Sequence, residues 1–398
     1  MAHVLIAPDK FKGSLTAVQV AAALRRGLAN ARPDIPTVVL PVADGGDGTL
    51  DAAIAAGFHR VPVRVCGPIG NPVDTAYAVR AGVAVIEMAD ACGLNRLPSG
   101  QLAPLTASSA GLGQVVRAAL DAGVHQVILG VGGSASTDGG AGMLTALGAR
   151  LRDAAGSELP PGGAALEHLD QVDLTGLHSR LARTDFTLAG DVDNPLLGPT
   201  GAASTYAPQK GASPIQVQAL ENALRRWSRL VARAMGVPAG DDGHPAANLP
   251  GAGAAGGVGF AAIAVLGAES RSGIDLFLEL TGFYQQLAGA RLVITGEGSL
   301  DTQTLRGKAP AGVAAAAGRV GVPVVAVAGR NLLDSTALAT AGFAAAYALL
   351  DIEPDRARCM TDPEPLLERL AVQVAGDWLR DDPAIGTSIR STSQGIGR

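Results

Sequence analysis

The chain has 398 residues and a formal net charge of −5; 47% of its residues are hydrophobic, 17% charged and 3% aromatic. This length and hydrophobicity are enough for two domains with sizeable cores. The acidic balance and the scarcity of aromatic side chains argue against nucleic acids and anionic membranes as partners. Because the first residues predict a strand rather than a signal peptide, we expect a soluble, cytoplasmic protein.

Short apolar runs recur along the chain, and each is followed by a cluster of Gly, Asp or Pro and then by an Ala-rich stretch. In chain order they are HVLIAP, TVVLPVA, VAVIEMA, HQVILGV, FTLAG, RLVITGEG and VPVVAVAG. Continuous apolar strands with helices between them are typical of parallel sheets. The sequence therefore predicts an α/β protein whose ligands bind beyond the carboxyl ends of the strands, where the polar clusters lie.

The first strand leads into a well-defined helix. Thr16 and Gln19 have the spacing of a capping box, and Val20, Leu24 and Leu28 follow on one face of the predicted helix. Residues 10–14 are therefore predicted to form a strand-to-helix loop, whose exposed N–H groups favour an anion.

Domain boundaries are marked by composition. A Gly/Pro cluster at 66–72 is consistent with a linker or a crossover, and residues 238–259 form another irregular stretch. From about Asp381 the chain loses its apolar periodicity, so we expect a disordered tail.

Lysine is rare in this sequence. The chain has 31 Lys and Arg residues, and the lysines among them are Lys10, Lys12, Lys210 and Lys308. All lie in turn-rich motifs, where a compact ammonium suits a phosphate or a carboxylate better than a guanidinium does. The alternative is that they are ordinary surface lysines that survived a bias towards Arg.

The glycine-rich segment GVGGSASTDGGAG directly follows the predicted strand HQVILGV. Successive small residues allow backbone N–H groups to surround an anion, so Gly132, Gly133, Ser134 and Thr137 are candidates for binding phosphate. The segment also matches the loose GxGxxA pattern, as does a second stretch at Gly251, which follows Pro250 instead of a strand. These two matches leave an NAD-dependent oxidoreductase as an alternative function.

Carboxylates occupy the same predicted loops. Asp44 lies in DGGDG, Asp191 in DVDNP, and Glu297 and Asp301 in TGEGSLD. Phosphoryl transfer needs a phosphate cradle, cations, a carboxylate for magnesium and a base for the acceptor hydroxyl. The sequence has candidates for each of these parts.

Several of these segments together resemble one family. APDKFKGSLTA, PVADGGDGT, LGVGGSASTDGGAG, DVDNPLLGPTGAA, APQKGA, GAGAAGG, TGEGSLDTQT and GKAP occur in the order seen in bacterial glycerate kinases of the type I family. The resemblance implies phosphorylation of D-glycerate by ATP, with Mg²⁺, and favours 2-phosphoglycerate over 3-phosphoglycerate as the product. It also implies two α/β domains, with the site in the cleft between them. These are a discontinuous Rossmann-like domain (1–66 and 286–380) and an inserted flavodoxin-like domain (67–285), in a monomer or a homodimer.

The candidate residues then receive roles. We expect Gly132, Gly133 and Ser134 to hold ATP phosphates, with Thr137, Lys210 and Lys308 as further nucleotide contacts. Lys10 and Lys12 would neutralise the transferred phosphoryl group or bind the glycerate carboxylate. Asp191 is our first assignment for the base and Asp44 the second, and neither motif nor spacing decides between them. Glu297 and Asp301 are the magnesium candidates.

Two features depart from the family pattern. TGEG continues with Ser299, where an Arg is expected, so one phosphate or substrate contact is missing from that position. The tail beyond residue 380 has no counterpart in the family pattern. A sugar-acid-binding regulatory protein without catalytic activity is a second alternative function.

Overall fold

Two large β-sheets and a two-stranded ribbon organise the described part of the chain, residues 2–380 of a computed structural model. The expected disordered tail lies outside the described residues. The strands are β1 (His3–Pro8), β2 (Thr37–Val39), β3 (His59–Cys66), β4 (Pro72–Arg80), β5 (Val83–Glu87), β6 (Gln126–Gly130), β7 (Arg150–Arg152), β8 (Gln171–Asp173), β9 (Asp185–Ala189), β10 (Glu269–Arg271), β11 (Ala290–Leu300), β12 (Val324–Asn331) and β13 (Ala345–Ala348).

Helices connect the strands and cover the sheets. They are α1 (Ala17–Ala31), α2 (Thr49–Ala55), α3 (Met88–Cys92), α4 (Ala110–Asp121), α5 (Ala141–Ala146), α6 (Ala202–Tyr206), α7 (Pro214–Met235), α8 (Ala254–Leu266), α9 (Gly273–Leu280), α10 (Phe283–Leu287), α11 (Ala309–Gly318), α12 (Ser335–Thr340), α13 (Leu349–Ile352), α14 (Arg356–Thr361) and α15 (Glu364–Trp378). None of the helices in residues 2–380 is long and apolar enough to cross a membrane.

The first sheet is built from both ends of the described chain. Its order is β13-β12-β11-β1-β2, and all its strands are parallel. Alternate residues of β1 face opposite sides, with Val4 and Ile6 against α1 and α15, and Leu5 and Ala7 against α11. The strand order reverses between β1 and β11, which is where doubly wound sheets bind ligands.

The second sheet has the order β10-β9-β6-β5-β4-β3. Strands β5, β6, β9 and β10 are parallel, whereas β3, β4 and β5 form an antiparallel edge. The Gly/Pro cluster at 66–72, expected to be a linker or a crossover, forms the turn between β3 and β4, where the Gly67 N–H donates to the Asn71 carbonyl at 2.6 Å. The predicted boundary after residue 66 assigned β3 to the first domain, but its hydrogen bonds join it to the second sheet.

The expected α/β fold class, with two α/β units, is confirmed by these sheets. Helix α9 packs against both of them, because Leu278 lies in a core of the first sheet while Leu276 and Phe277 lie in a core of the second. The two sheets are therefore joined through buried apolar side chains and not by a bare linker.

The predicted capping box at the start of α1 is also confirmed. The Gln19 N–H donates to the Thr16 hydroxyl at 3.3 Å, and the Gln19 side chain accepts from the Thr16 N–H at 2.9 Å. Val20, Leu24 and Leu28 are buried against the first sheet. This helix start fixes the position of the loop at residues 10–14.

Candidate active site

A cleft of about 430 Å³ opens where the carboxyl ends of β1 and β11 meet the loop after β2. The second sheet contributes Gly133, from the loop after β6, and α13 and α14 contribute Leu350, Cys359 and Met360 together with Arg356. The polar side chains that line the cleft belong to Asp9, Lys10, Lys12, Ser14, Asp44, Asp47, Glu297, Ser299, Asp301, Lys308, Arg330 and Arg356. Most of the residues selected from the sequence are therefore brought together at one edge of the first sheet.

The loops of the two sheets meet through backbone atoms of glycine. The Gly132 N–H donates to the Gly45 carbonyl at 3.2 Å, and a Cβ on Gly132 would lie 2.5 Å from the Gly46 Cα. Gly133 has a φ of +71°, and its Cβ would lie 2.5 Å from Asp47 Oδ1. Gly133 lines the cleft, whereas Gly132 is used for this contact. Part of the glycine density therefore serves packing instead of phosphate binding.

Lys210 lies beneath this loop and not in the cleft. Its side chain is 2% exposed, and its Nζ donates to Ser134 Oγ at 2.8 Å and to the Ser136 carbonyl. Thr137 is also fully buried. Neither Lys210 nor Thr137 lines the cleft, which argues against the predicted direct contacts with a nucleotide. Burial lowers the pKa of Lys210 to about 7, although Asp138 opposes this shift.

Lys10 lies among carboxylates at the end of β1. Its Nζ is 3.5 Å from Asp9 Oδ1, and its N–H donates to the same oxygen at 2.7 Å. Burial raises the pKa of Asp9 to about 7, against the lowering effect of Lys10. For Lys10 itself, burial lowers the pKa, but Asp9, Asp44 and Asp47 outweigh that effect and raise it. Lys10 therefore stays cationic.

Lys308 and Glu297 form a second charged pair in the cleft. Lys308 Nζ is 3.4 Å from Glu297 Oε2, and the Thr304 hydroxyl donates to Glu297 Oε1 at 2.5 Å. Burial raises the pKa of Glu297, and these donors oppose the shift. Both Glu297 oxygens therefore already have protein partners, which suits holding Lys308 better than holding a metal. Asp301 lines the cleft, and its Oδ1 accepts from the Gln303 N–H at 2.8 Å.

The two candidates for the base are neighbours, but they differ in access. Asp44 lines the cleft, and its Oδ1 accepts from the Gly46 N–H at 3.1 Å. Asp191 does not line the cleft, and its Oδ1 accepts from the Gly273 N–H at 3.0 Å. Desolvation by the adjacent loops raises the pKa of Asp191 to about 6. A Cβ on Gly273 would lie 2.0 Å from the Asp44 carbonyl, so Gly273 separates the two acids.

Sequence reasoning missed Glu87, at the end of β5. Its carboxylate accepts from the N–H groups of Gly48 at 3.1 Å and Leu50 at 2.9 Å, and so ties the second sheet to the start of α2. Burial raises the pKa of Glu87 to about 7, against the effect of these two bonds. The sequence signal that could have identified Glu87 is its position as an acid at the end of the apolar run VAVIE. Arg330, which also lines the cleft, was missed as well and likewise follows an apolar run, whereas Asp47 belongs to the same recognised segment, DGGDG, as Asp44.

The contact between the two glycine loops predicts an asymmetry between two substitutions. Gly133→Ala and Gly100→Ala place a Cβ at nearly the same φ, +71° and +73°, but Gly100 has no atom within 4 Å of that position. In both variants the alanine must adopt a left-handed backbone conformation, which lowers the free energy of unfolding by about 1–2 kcal/mol. Gly133→Ala should lower the free energy of unfolding by about 1–3 kcal/mol more than Gly100→Ala does, because Asp47 and Ala89 must move to make room for the Cβ. Urea unfolding of both variants measures the difference, and equal losses would contradict the contact.

The buried Lys210 predicts a pH dependence of stability. Between its folded pKa of about 7 and its ordinary value of 10.5, the unfolded chain binds one more proton than the folded chain. Its contribution to the unfolding free energy therefore rises with pH in this window, by up to about 1.4 kcal/mol per pH unit. Lys210→Met should remove the rise. Urea unfolding of wild type and variant at about pH 7 and about pH 9 tests this. If the difference in unfolding free energy between wild type and Lys210→Met does not change with pH, Lys210 keeps its proton in the folded protein.

Comparison with known proteins identifies the family. Residues 4–379 match the sequence model of the glycerate kinase family. A glycerate kinase of Bacillus subtilis (strain 168) is 43% identical over 350 residues, which are 87% of this chain and 90% of that protein. A glycerate 2-kinase of Escherichia coli (strain K12) is 41% identical over 351 residues, again 87% of this chain and 90% of that protein.

A solved structure agrees with these sequences. A provisionally named glycerate kinase 2 from Salmonella typhimurium LT2 superposes with a TM-score of 0.79 at 40% identity, covering 96% of this chain and 100% of that chain. The similarity extends over both sheets and the cleft between them. This chain belongs to the glycerate kinase family.

Proposed function

We propose that this protein transfers the γ-phosphoryl group of ATP to D-glycerate. The observation that carries the proposal is the convergence of Lys10, Lys12 and Lys308 with carboxylates in one cleft at the strand ends. Phosphoryl transfer depends on positioning and on neutralising charge, and this arrangement can do both. The names of the Bacillus subtilis and Escherichia coli relatives support glycerate as the acceptor.

Lys12 is the lysine best placed to meet a substrate. It lines the cleft, and within residues 2–380 its side chain has no hydrogen bond or ion pair, whereas Lys10 and Lys308 are paired with Asp9 and Glu297. An unpaired ammonium can bind the transferred phosphoryl group or the glycerate carboxylate as a point charge. We assign Lys12 that role and Lys10 the neutralisation of charge beside it.

The base for the attacking hydroxyl must reach the substrate before its pKa matters. Asp44 lines the cleft and Asp191 does not, so the geometry favours Asp44, the reverse of our first assignment. Asp44 lies near enough to Asp191 to contribute to the raised pKa of Asp191, but Asp191 does not face the cleft. The proton of the acceptor hydroxyl would pass to the Asp44 carboxylate.

The residues present fit a magnesium ion that is shared with the substrate. Within residues 2–380 no group of three or more His, Cys, Asp or Glu residues forms a closed metal site. Mg²⁺ commonly takes one or two carboxylates and completes its shell with phosphate oxygens and water. Asp301 and Asp47 line the cleft and can provide such carboxylates, and Glu297 is less suited because both its oxygens have partners. When bound, the ion would neutralise phosphate charge.

The oxidoreductase alternative receives little support from the second glycine-rich stretch. A Cβ on Gly256 would lie 2.2 Å from the Ser136 carbonyl, and one on Gly259 would lie 1.9 Å from the Gly251 carbonyl. These glycines are close-packed and do not line the cleft. An inactive sugar-acid-binding protein would bind the same ligands as the kinase, so only a measurement of turnover distinguishes the two.

Phosphorus-31 NMR of the reaction mixture tests the proposed function. Incubation with Mg·ATP and D-glycerate should produce ADP and a new phosphate monoester. We expect the product to be 2-phosphoglycerate, in keeping with the name of the Escherichia coli relative. Its proton-coupled signal would be a doublet, because C2 of glycerate bears a single hydrogen, whereas 3-phosphoglycerate would give a triplet.

Glycerate binding without a monoester would favour the inactive alternative, and stabilisation by NADH but not by Mg·ATP would favour the oxidoreductase.

The assignment of the base predicts different kinetics for two isosteric variants. Asp44→Asn should lower kcat on the order of a hundredfold or more, with both KM values within a few fold, because proton transfer occurs only in the transition state. Asp191→Asn should change kcat far less. Steady-state kinetics at several magnesium concentrations measures both. Loss of turnover in Asp191→Asn, with only a raised KM in Asp44→Asn, would exchange the two roles.

A further inference from the structure

Arg330 brings a guanidinium into the cleft from the end of β12. It is paired in register with Ser299 on the neighbouring strand β11, and its Nε donates to the Ser299 hydroxyl at 2.9 Å. Both residues line the cleft. The side chain is partly buried, so its orientation is held by the protein before any ligand binds.

Arg330 differs from the lysines of the cleft in having no carboxylate partner within residues 2–380. Lys10 and Lys308 have carboxylates at 3.5 Å and 3.4 Å, whereas Arg330 forms no ion pair in the part of the chain that the structure describes. The bond to Ser299 uses the Nε–H and leaves the four N–H groups of Nη1 and Nη2 available. These groups form a planar fork that matches the two oxygens of a carboxylate or a phosphate.

The surroundings of Arg330 favour a bound anion. A Cβ on Gly329 would lie 2.6 Å from the Gly298 carbonyl, so β11 and β12 approach closely just before the Ser299–Arg330 pair. Leu350, which is partly buried, and Cys359, which is buried, line the same cleft. Apolar walls lower the local dielectric and strengthen a guanidinium–oxyanion contact.

We propose that Arg330 binds a substrate oxyanion, either the glycerate carboxylate or a phosphate of ATP, and that Ser299 is its positioning residue. The inference rests on the proposed function, which names these two substrates. It also accounts for the departure seen in the sequence: the cation expected at position 299 comes instead from the adjacent strand.

Binding measurements on Arg330 variants test this inference. Calorimetry with the magnesium complex of a non-hydrolysable ATP analogue and with D-glycerate, each alone and each with the other present, should show that Arg330→Ala weakens one of them about tenfold or more. Weaker binding of D-glycerate would identify the carboxylate as the bound oxyanion, and weaker binding of the nucleotide would identify a phosphate. Arg330→Lys should restore only part of the loss, because it keeps the charge but not the fork. The matched control is Arg319→Ala, which removes an exposed Arg at the end of α11, outside the cleft.

A double-mutant cycle separates positioning from direct contact. Ser299→Ala should weaken the same ligand by a smaller factor than Arg330→Ala does. In the Arg330→Ala background, Ser299→Ala should have no further effect, because the hydroxyl acts through the guanidinium. Melting temperatures of all variants report whether any loss of binding follows from unfolding.

The outcomes distinguish this inference from the proposed function. If both ligands bind Arg330→Ala within twofold of Arg319→Ala, the inference is overturned even when wild-type protein phosphorylates glycerate. If wild type binds a ligand through Arg330 but transfers no phosphate, the kinase proposal fails and the oxyanion site stands. Wild-type protein that binds neither ligand overturns both.

Discussion

The architecture of the cleft depends on one contact, in which glycine backbone from one sheet rests on glycine backbone from the other. Gly45 and Gly46 follow β2, Gly130 ends β6 and Gly132 follows it, and side chains at either Gly130 or Gly132 would collide with the facing loop. Glu87 reinforces the contact by accepting the N–H groups of Gly48 and Leu50. The loop that carries Asp44 and Asp47 is thereby held over the carboxyl end of the first sheet, opposite Lys10.

Burial and pairing determine the charges of the site. Asp9, Glu87 and Glu297 are buried acids with raised pKa values, and each accepts hydrogen bonds from nearby groups. Of the lysines in the cleft, Lys10 and Lys308 are paired with carboxylates, whereas Lys12 has no ion pair within residues 2–380. A site with both paired and unpaired cations can keep its shape without ligand and still attract an anionic substrate.

Much of this arrangement could be predicted from the sequence, and the failures have physical causes. The parallel strands were recognisable because strands buried on both faces are continuously apolar. The antiparallel edge was missed because β3 mixes Arg, Pro and Val, and only one of its eight positions is buried. The glycine-rich segment and the rare lysines did not distinguish ligand binding from packing. Gly132 packs against the facing loop, and Lys210 holds the loop after β6 through Ser134. The pairing of Arg330 with Ser299 depends on strand register, which a single sequence does not reveal.

The central claim is that the cleft beside the two glycine loops is where nucleotide and glycerate meet. Hydrogen exchange of backbone amides, with and without saturating Mg·ADP and D-glycerate, tests it most directly. We expect slowed exchange at residues 10–14, 44–48 and 131–134, and unchanged exchange around Arg225, Arg226 and Arg229 on α7, where a separate surface depression lies. Slowed exchange at that depression, with none in the two glycine loops, would contradict the account.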